Sequence, residues 1–264
     1  MSIRSIIQHT GLAAYGALAR TGVMQQPWAR RVFLAVYSAY KTWIESGPVD
    51  RLKEFVAPGS AVVDVGANVG FFTLKFARWV GRQGRVIAIE PDELNFTTLA
   101  AKIAAAGLQD RVDLHKAAAA AETGSVRLRL NEVHPGDHRI SFDDEGIAVS
   151  AVTVDGLVAA VGVTTVSLVK IDVQGAEMLV LAGAQRTLAT MRPALFVEVD
   201  DRALGSFGSS ARALIAHLEE IGYRMHELVD NGPPRSLSQQ QLSASLGRRS
   251  YIDVLFLPAA ARPI

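Results

Sequence analysis

Asp64, Gly66, Asn68 and Gly70 stand within one short run, Val62-Val-Asp-Val-Gly-Ala-Asn-Val-Gly70, and Glu90 closes the next apolar run, Val86-Ile87-Ala88-Ile89. A glycine turn after an apolar segment lets a ligand approach the backbone closely. A carboxylate about 20–25 residues beyond such a turn is placed to accept hydrogen bonds from two ribose hydroxyls. A second group, Lys170, Asp172, Glu177, Glu198 and Asp200, follows far down the chain. Between them lies Asn131-Glu-Val-His-Pro-Gly-Asp-His-Arg139, a polar stretch dense in reactive side chains. Within it His138 is a candidate general base, because a neutral imidazole is available near neutral pH. Asp137 would orient it and His134 is the alternative; a surface turn at Pro135-Gly136 is the plainer reading of the same residues.

The first group discriminates between nucleoside ligands. A dinucleotide site wants G-x-G-x-x-G, but Asn68 and Phe71 occupy the positions where glycines would follow Gly66. The Asp64 carboxylate would repel a pyrophosphate and attract an ammonium group. S-adenosylmethionine carries an ammonium and no phosphate, so Asp64 is read as facing that group, with the turn at Gly66 and Gly70 and the carboxylate of Glu90 beside it. A nicotinamide-dependent oxidoreductase is the rival reading. A binding or regulatory domain that keeps the pocket without a competent base is another.

These residues need elements to hold them. Short apolar runs at 61–65, 85–90, 112–116, 166–172, 194–199, 223–228 and 251–257 alternate with helical patterns at 70–80, 92–106, 176–191 and 210–221. Such alternation predicts an α/β domain with a mostly parallel, seven-stranded sheet, because parallel neighbours need crossovers. The stretch joining the last two strands (232–245) shows no obvious crossover helix, which predicts an antiparallel last strand. Residues 119–165 are too long for a simple connection and read as an insertion carrying two strands, 126–130 and 147–154. The sequence before Pro48 predicts two or three helices that form an N-terminal helical cap, so the division is 1–48 and 49–264.

With the strands ordered this way, Asp172 ends the fourth strand, across the switch point from the first. It is the first candidate to face the reacting atoms, and Lys170, on the same strand face, is its candidate ion-pair partner. Glu177, in the first turn of a helix, favours the helix dipole, and with Glu198, His134 and Asp137 it is also a candidate for substrate contact. Asp172, Glu198 and Asp200 could alternatively gather into an oxygen-rich site for magnesium or manganese.

Asp64-Val-Gly-Ala-Asn-Val-Gly70, Glu90-Pro91, Asn95, Leu99, Lys170-Ile-Asp-Val-Gln-Gly-Ala-Glu177, Leu181-Ala-Gly-Ala184, Pro193 and Glu198 together resemble the FkbM family of methyltransferases. The resemblance runs from about Val62 to Glu198. It implies a class I, Rossmann-like fold and S-adenosylmethionine-dependent transfer, mostly to oxygen, on sugars, glycolipids or polyketide-type natural products. By matching position it puts Asp64, Gly66, Asn68, Gly70 and Glu90 at the cofactor. One departure stands out. Class I enzymes often carry an acidic residue after the third strand for the adenine amino group, whereas His115-Lys116-Ala117-Ala118 has none, so the adenine contact stays unassigned.

Composition narrows the partners. Lys and Arg total 27 against 26 Asp and Glu, which gives no reason to expect nucleic acid and leaves a small-molecule acceptor as the expected partner. Without cysteine, thiol catalysis and thiolate metal sites are excluded. Arg4, Arg20, Arg30, Arg31 and Lys41 all precede the first acidic residue, Glu45. They form either a solvated helical face or a basic surface for an anionic substrate or a peripheral membrane contact. Gln8, His9 and Thr10 interrupt the early apolar run, which argues against a signal peptide and for a cytoplasmic protein. Tryptophan, tyrosine and arginine in the same region favour a glycosylated or amphipathic acceptor.

Overall fold

The computed structural model describes residues 49–129, 139–141 and 146–259. The helical cap expected at 1–48, and with it the basic surface, lies outside those residues, as do His134, Asp137 and His138.

After a single 3-10 turn at Asp50–Phe55 the chain runs β1 (Ala61–Val65), α1 (Phe71–Trp79), β2 (Arg85–Ile89), α2 (Glu93–Ala105) and β3 (Val112–His115). The insertion follows as β4 (Ala118–Ala119), β5 (Gly124–Arg129), β6 (Arg139–Ser141), β7 (Ile147–Val152) and α3 (Val154–Val161). The main chain path then resumes with β8 (Val166–Ile171), α4 (Glu177–Ala182), α5 (Gln185–Met191), β9 (Ala194–Val199), α6 (Asp201–Ser206) and α7 (Ala211–Glu220). It closes with β10 (Tyr223–Glu227), β11 (Arg235–Ser236), α8 (Gln239–Leu246) and β12 (Ile252–Pro258).

The large sheet has the order β11-β10-β12-β9-β8-β1-β2-β3. The order reverses between β1 and β8, and that is where an open α/β sheet makes its ligand crevice. β1, β2, β3, β8 and β9 run parallel, and β12 lies antiparallel between β9 and β10. This is the mostly parallel, seven-stranded sheet that the sequence predicts, with the two-residue β11 as an eighth strand. Pleating divides the core. Val63, Val65, Ile87, Ile89, Val169 and Ile171 pack with α3, α4, α5 and α7, while Val62, Val86, Ala88 and Leu168 pack with α1 and α2. Each fully buried Leu, Ile or Phe among them contributes roughly 1.5–3 kcal/mol.

Two expectations need correction. The helix expected over 176–191 is two helices, because Gly183 lies where a Cβ would stand 2.1 Å from the Ala120 carbonyl oxygen of the insertion. The stretch 232–245 does hold a helix, α8, whose start carries a capping box between Ser238 and Gln241. Its low apolar content hid it from a periodicity argument.

The insertion builds a separate sheet, β4-β7-β5-β6. One face, with Leu128, Ile140 and Ala151, is buried against the domain; the other is exposed. Among the described residues no helix is long and apolar enough to cross a membrane.

Candidate functional site

The turn after β1 is held by main-chain bonds. Gly66 and Ala67 both donate their N–H to the Ile89 carbonyl at 3.0 Å, which fastens the turn to the end of β2. Gly66 has φ +74°, and a Cβ there would stand 1.9 Å from the Asp172 carbonyl oxygen, so only glycine fits. Asn68 also lies in the left-handed region, at φ +48°, and its side-chain oxygen accepts from the Val69 N–H at 2.7 Å. Lys102, reaching from α2, donates to the Val69 carbonyl at 2.9 Å.

Glu90 is buried behind this turn. Its carboxylate accepts from the N–H groups of Asn68 at 2.7 Å and Asp92 at 3.0 Å, and from the Asn95 side chain at 3.4 Å. Burial raises its pKa to about 7, the hydrogen bonds notwithstanding.

Asp64 does not stand where the sequence suggested. It is not the last residue of β1, and pleating turns it to the Val62 face, under α1, where it is fully buried. Thr73 Oγ1 donates to Asp64 Oδ2 at 2.6 Å, and Lys170 Nζ sits 3.6 Å from Oδ1. Register explains the pair: Asp64 and Lys170 are neighbours across β1 and β8. The same ammonium donates to the carbonyls of Val65 (3.1 Å) and Gly66 (2.7 Å) and lies 3.4 Å from Asp172 Oδ2. Burial works against its charge, but Asp172, Asp64 and Glu198 outweigh that and hold the ammonium above its ordinary pKa.

Asp172 reaches the crevice, its side chain about one-third exposed. Gln174, two residues on and at φ +55°, donates its amide to Asp172 Oδ1 at 3.3 Å and to Glu198 Oε2 at 2.8 Å. Glu177 turns inward and accepts from the N–H groups of Val173 (3.4 Å) and Gly175 (3.1 Å), so it braces the loop that carries Asp172. Burial raises its pKa to about 7. Asp200 is the N-cap of α6, accepting from Arg202 and Ala203. The expected metal set Asp172, Glu198, Asp200 does not assemble: among the described residues no group of three His, Asp or Glu could hold a metal ion.

These features surround a small open cleft. Gly66, Asn68, Glu90 and Asp172 line it, with Pro91, Asn95 and Gln174 beside them. Asp64 and Gly70 lie outside its lining; Gly70 instead caps α1. Ala117, Ala118, Ala119, Leu128 and Ile140 form an apolar wall. Sequence reasoning missed that wall, because four of the five belong to β4 and β5 of the insertion or to their approach and Ile140 to β6. It missed Gln174 as well, although its place inside the Lys170–Glu177 motif was the signal.

The family model of the methyltransferase FkbM domain matches residues 64–225. Solved structures of similar fold include a methyltransferase FkbM from Methylobacillus flagellatus, with a TM-score of 0.47 and 16% identity. The match covers 94% of this chain but 59% of that protein. A putative rRNA methylase from Clostridium thermocellum gives a TM-score of 0.44 at 14% identity, over 80% of this chain and 93% of the other. An S-adenosylmethionine-dependent O-methyltransferase from Thermotoga maritima gives 0.42 at 13% identity, over 83% and 66%. No curated protein matches the chain.

Proposed function

The chain belongs to the methyltransferase FkbM family, and from that membership we propose that it moves a methyl group from S-adenosylmethionine to a hydroxyl of a sugar, glycolipid or polyketide-type acceptor. One observation carries the choice of cofactor. Among the described residues the cleft lining holds two carboxylates, Glu90 and Asp172, and no Lys, Arg or His. Lys170 offsets Asp172 from beneath the lining but offers no group to a ligand, so a pyrophosphate would meet two acidic side chains and no cation there, a lining that suits a sulfonium nucleoside with an ammonium group better. The discrimination first assigned to Asp64 therefore passes to these two residues.

The residues fit that cofactor. Glu90, at the end of β2, is placed for the ribose hydroxyls, and the apolar wall of Ala117–Ala119, Leu128 and Ile140 suits a flat base. The Gly66–Asn68 turn leaves room for the amino-acid part. When bound, the cofactor supplies a methyl group on positively charged sulfur. The protein then has to align an acceptor oxygen with that carbon and take its proton. Asp172 is assigned the acceptor-facing role; Gln174 holds its carboxylate beside that of Glu198. His138, Asp137 and His134 are proposed to complete the acceptor side from the insertion.

Calorimetry with S-adenosylhomocysteine and, separately, NADH tests the cofactor. Binding of the first and not the second is expected; the opposite result overturns the proposal. Transfer from labelled S-adenosylmethionine to a panel of glycosides and polyketide alcohols tests the chemistry. There Asp172→Asn or His138→Ala is expected to abolish turnover, and full activity in both removes the catalytic assignments.

A further inference from the structure

We propose that Lys170 is a positioning residue for the reaction: its buried ammonium fixes the carbonyls of the cofactor turn and the carboxylate of Asp172 to one point. The inference rests on the reading of Asp172 as the acceptor-facing group.

Lys170 cannot touch a ligand, since its side chain is only 3% exposed. Yet it reaches both sides of the crevice. On the β1 side it bonds the carbonyls of Val65 and Gly66; on the β8 side it pairs with Asp172. Were it merely the counter-ion of Asp64, the ammonium would sit nearest that carboxylate. It lies instead at 2.7 Å from the Gly66 oxygen, 3.4 Å from Asp172 and 3.6 Å from Asp64. The Phe72 ring, 5.3 Å away, closes the remaining side. Gly66 and Asp172 are themselves in contact, because the Asp172 carbonyl occupies the space of the missing Cβ. Lys170 thus sets the spacing between the cofactor turn and the acceptor-facing carboxylate, and it supplies the cation that offsets the other acids facing Asp172: Asp64 on β1, Glu177 on α4 and Glu198 on β9.

The test follows the Asp172 carboxyl by 13C NMR in protein labelled at aspartate, with the signal assigned by its loss in Asp172→Asn. The paired variant Asp64→Asn with Lys170→Met removes both buried charges together and keeps an acceptor for Thr73, so no lone charge is left in the core. In it Asp172 is expected to titrate about one pH unit or more above its wild-type value, since a cation within 4 Å has been lost. Asp64→Asn alone is expected to produce no rise, and Lys170→Arg, which keeps the charge, a titration close to wild type. Coincident curves for the paired variant and the wild type overturn the proposal, as does a rise of the same size in Lys170→Arg. S-adenosylhomocysteine is titrated into the wild-type sample by calorimetry. A failure to bind would sink the functional reading while leaving the Asp172 titration to judge Lys170 alone.

Discussion

The two banks of the crevice are built by different means. On the nucleoside bank, as proposed, main-chain groups carry every contact of the turn: two N–H groups share the Ile89 carbonyl, a third N–H, from Asn68, meets Glu90, and its carbonyls accept from Lys170 and Lys102. On the acceptor bank side chains hold one another: Gln174 bridges Asp172 and Glu198 from a left-handed backbone position that glycine favours. A backbone-built site is fixed by chain geometry and tolerates little change. A side-chain-built site can be retuned residue by residue, and such plasticity suits the side proposed to meet the acceptor.

The largest effect is expected where the two banks meet. Gly66→Ala drives a methyl into the Asp172 carbonyl and forces φ +74° on a residue with a side chain. Loss of detectable S-adenosylhomocysteine binding by calorimetry is expected, with a destabilisation of at least about 2 kcal/mol in urea unfolding. Binding within threefold of wild type would show that the nucleoside bank is softer than described. Next comes Lys170→Met alone, which strands the Asp64 charge in the core. It should cost about 3–5 kcal/mol, and adding Asp64→Asn should recover most of that; equal stabilities of the single and paired variants would contradict the buried pair.

Glu90 separates stability from binding. Its folded pKa of about 7 lies above the ordinary 4.5, so its contribution to stability is present below about pH 4.5 and is lost as pH rises through 7. Glu90→Gln removes that ionisation but turns an amide NH2 towards an N–H that the carboxylate accepts from, so it should flatten the pH dependence of stability between pH 6 and 8 without a net gain, while weakening S-adenosylhomocysteine roughly 10- to 100-fold. In the wild type, affinity should fall as the solution is acidified from pH 8 to 6, because the ionised carboxylate accepts two hydroxyl hydrogen bonds. Affinity flat across that range would remove Glu90 from the ribose. The smallest effect is expected at the apolar wall, where Leu128→Ala should weaken the nucleoside about three- to tenfold.

How much of this was legible depended on the same contrast. Strand–helix alternation reports backbone requirements, so the fold could be read from sequence, and Gly66, Asn68 and Glu90 line the cleft. Asp64 was read as facing the cofactor's ammonium group from its charge and its place before the glycine turn alone. Pleating and the β1–β8 register, which a single sequence does not reveal, put it beneath α1 against Lys170. The Asp172–Gln174–Glu198 bridge joins a loop to a neighbouring strand, a pairing without local periodicity. The break at Gly183 likewise depends on a carbonyl from a distant segment, Ala120.

Leu128 and Ile140 belong to the insertion, yet they lie in the cleft beside Glu90 and Pro91. The insertion is thus also structural lining for the half proposed to hold the nucleoside. Exchanging it wholesale to retarget the enzyme would disturb donor affinity along with acceptor choice, unless the graft carries apolar side chains at those two places.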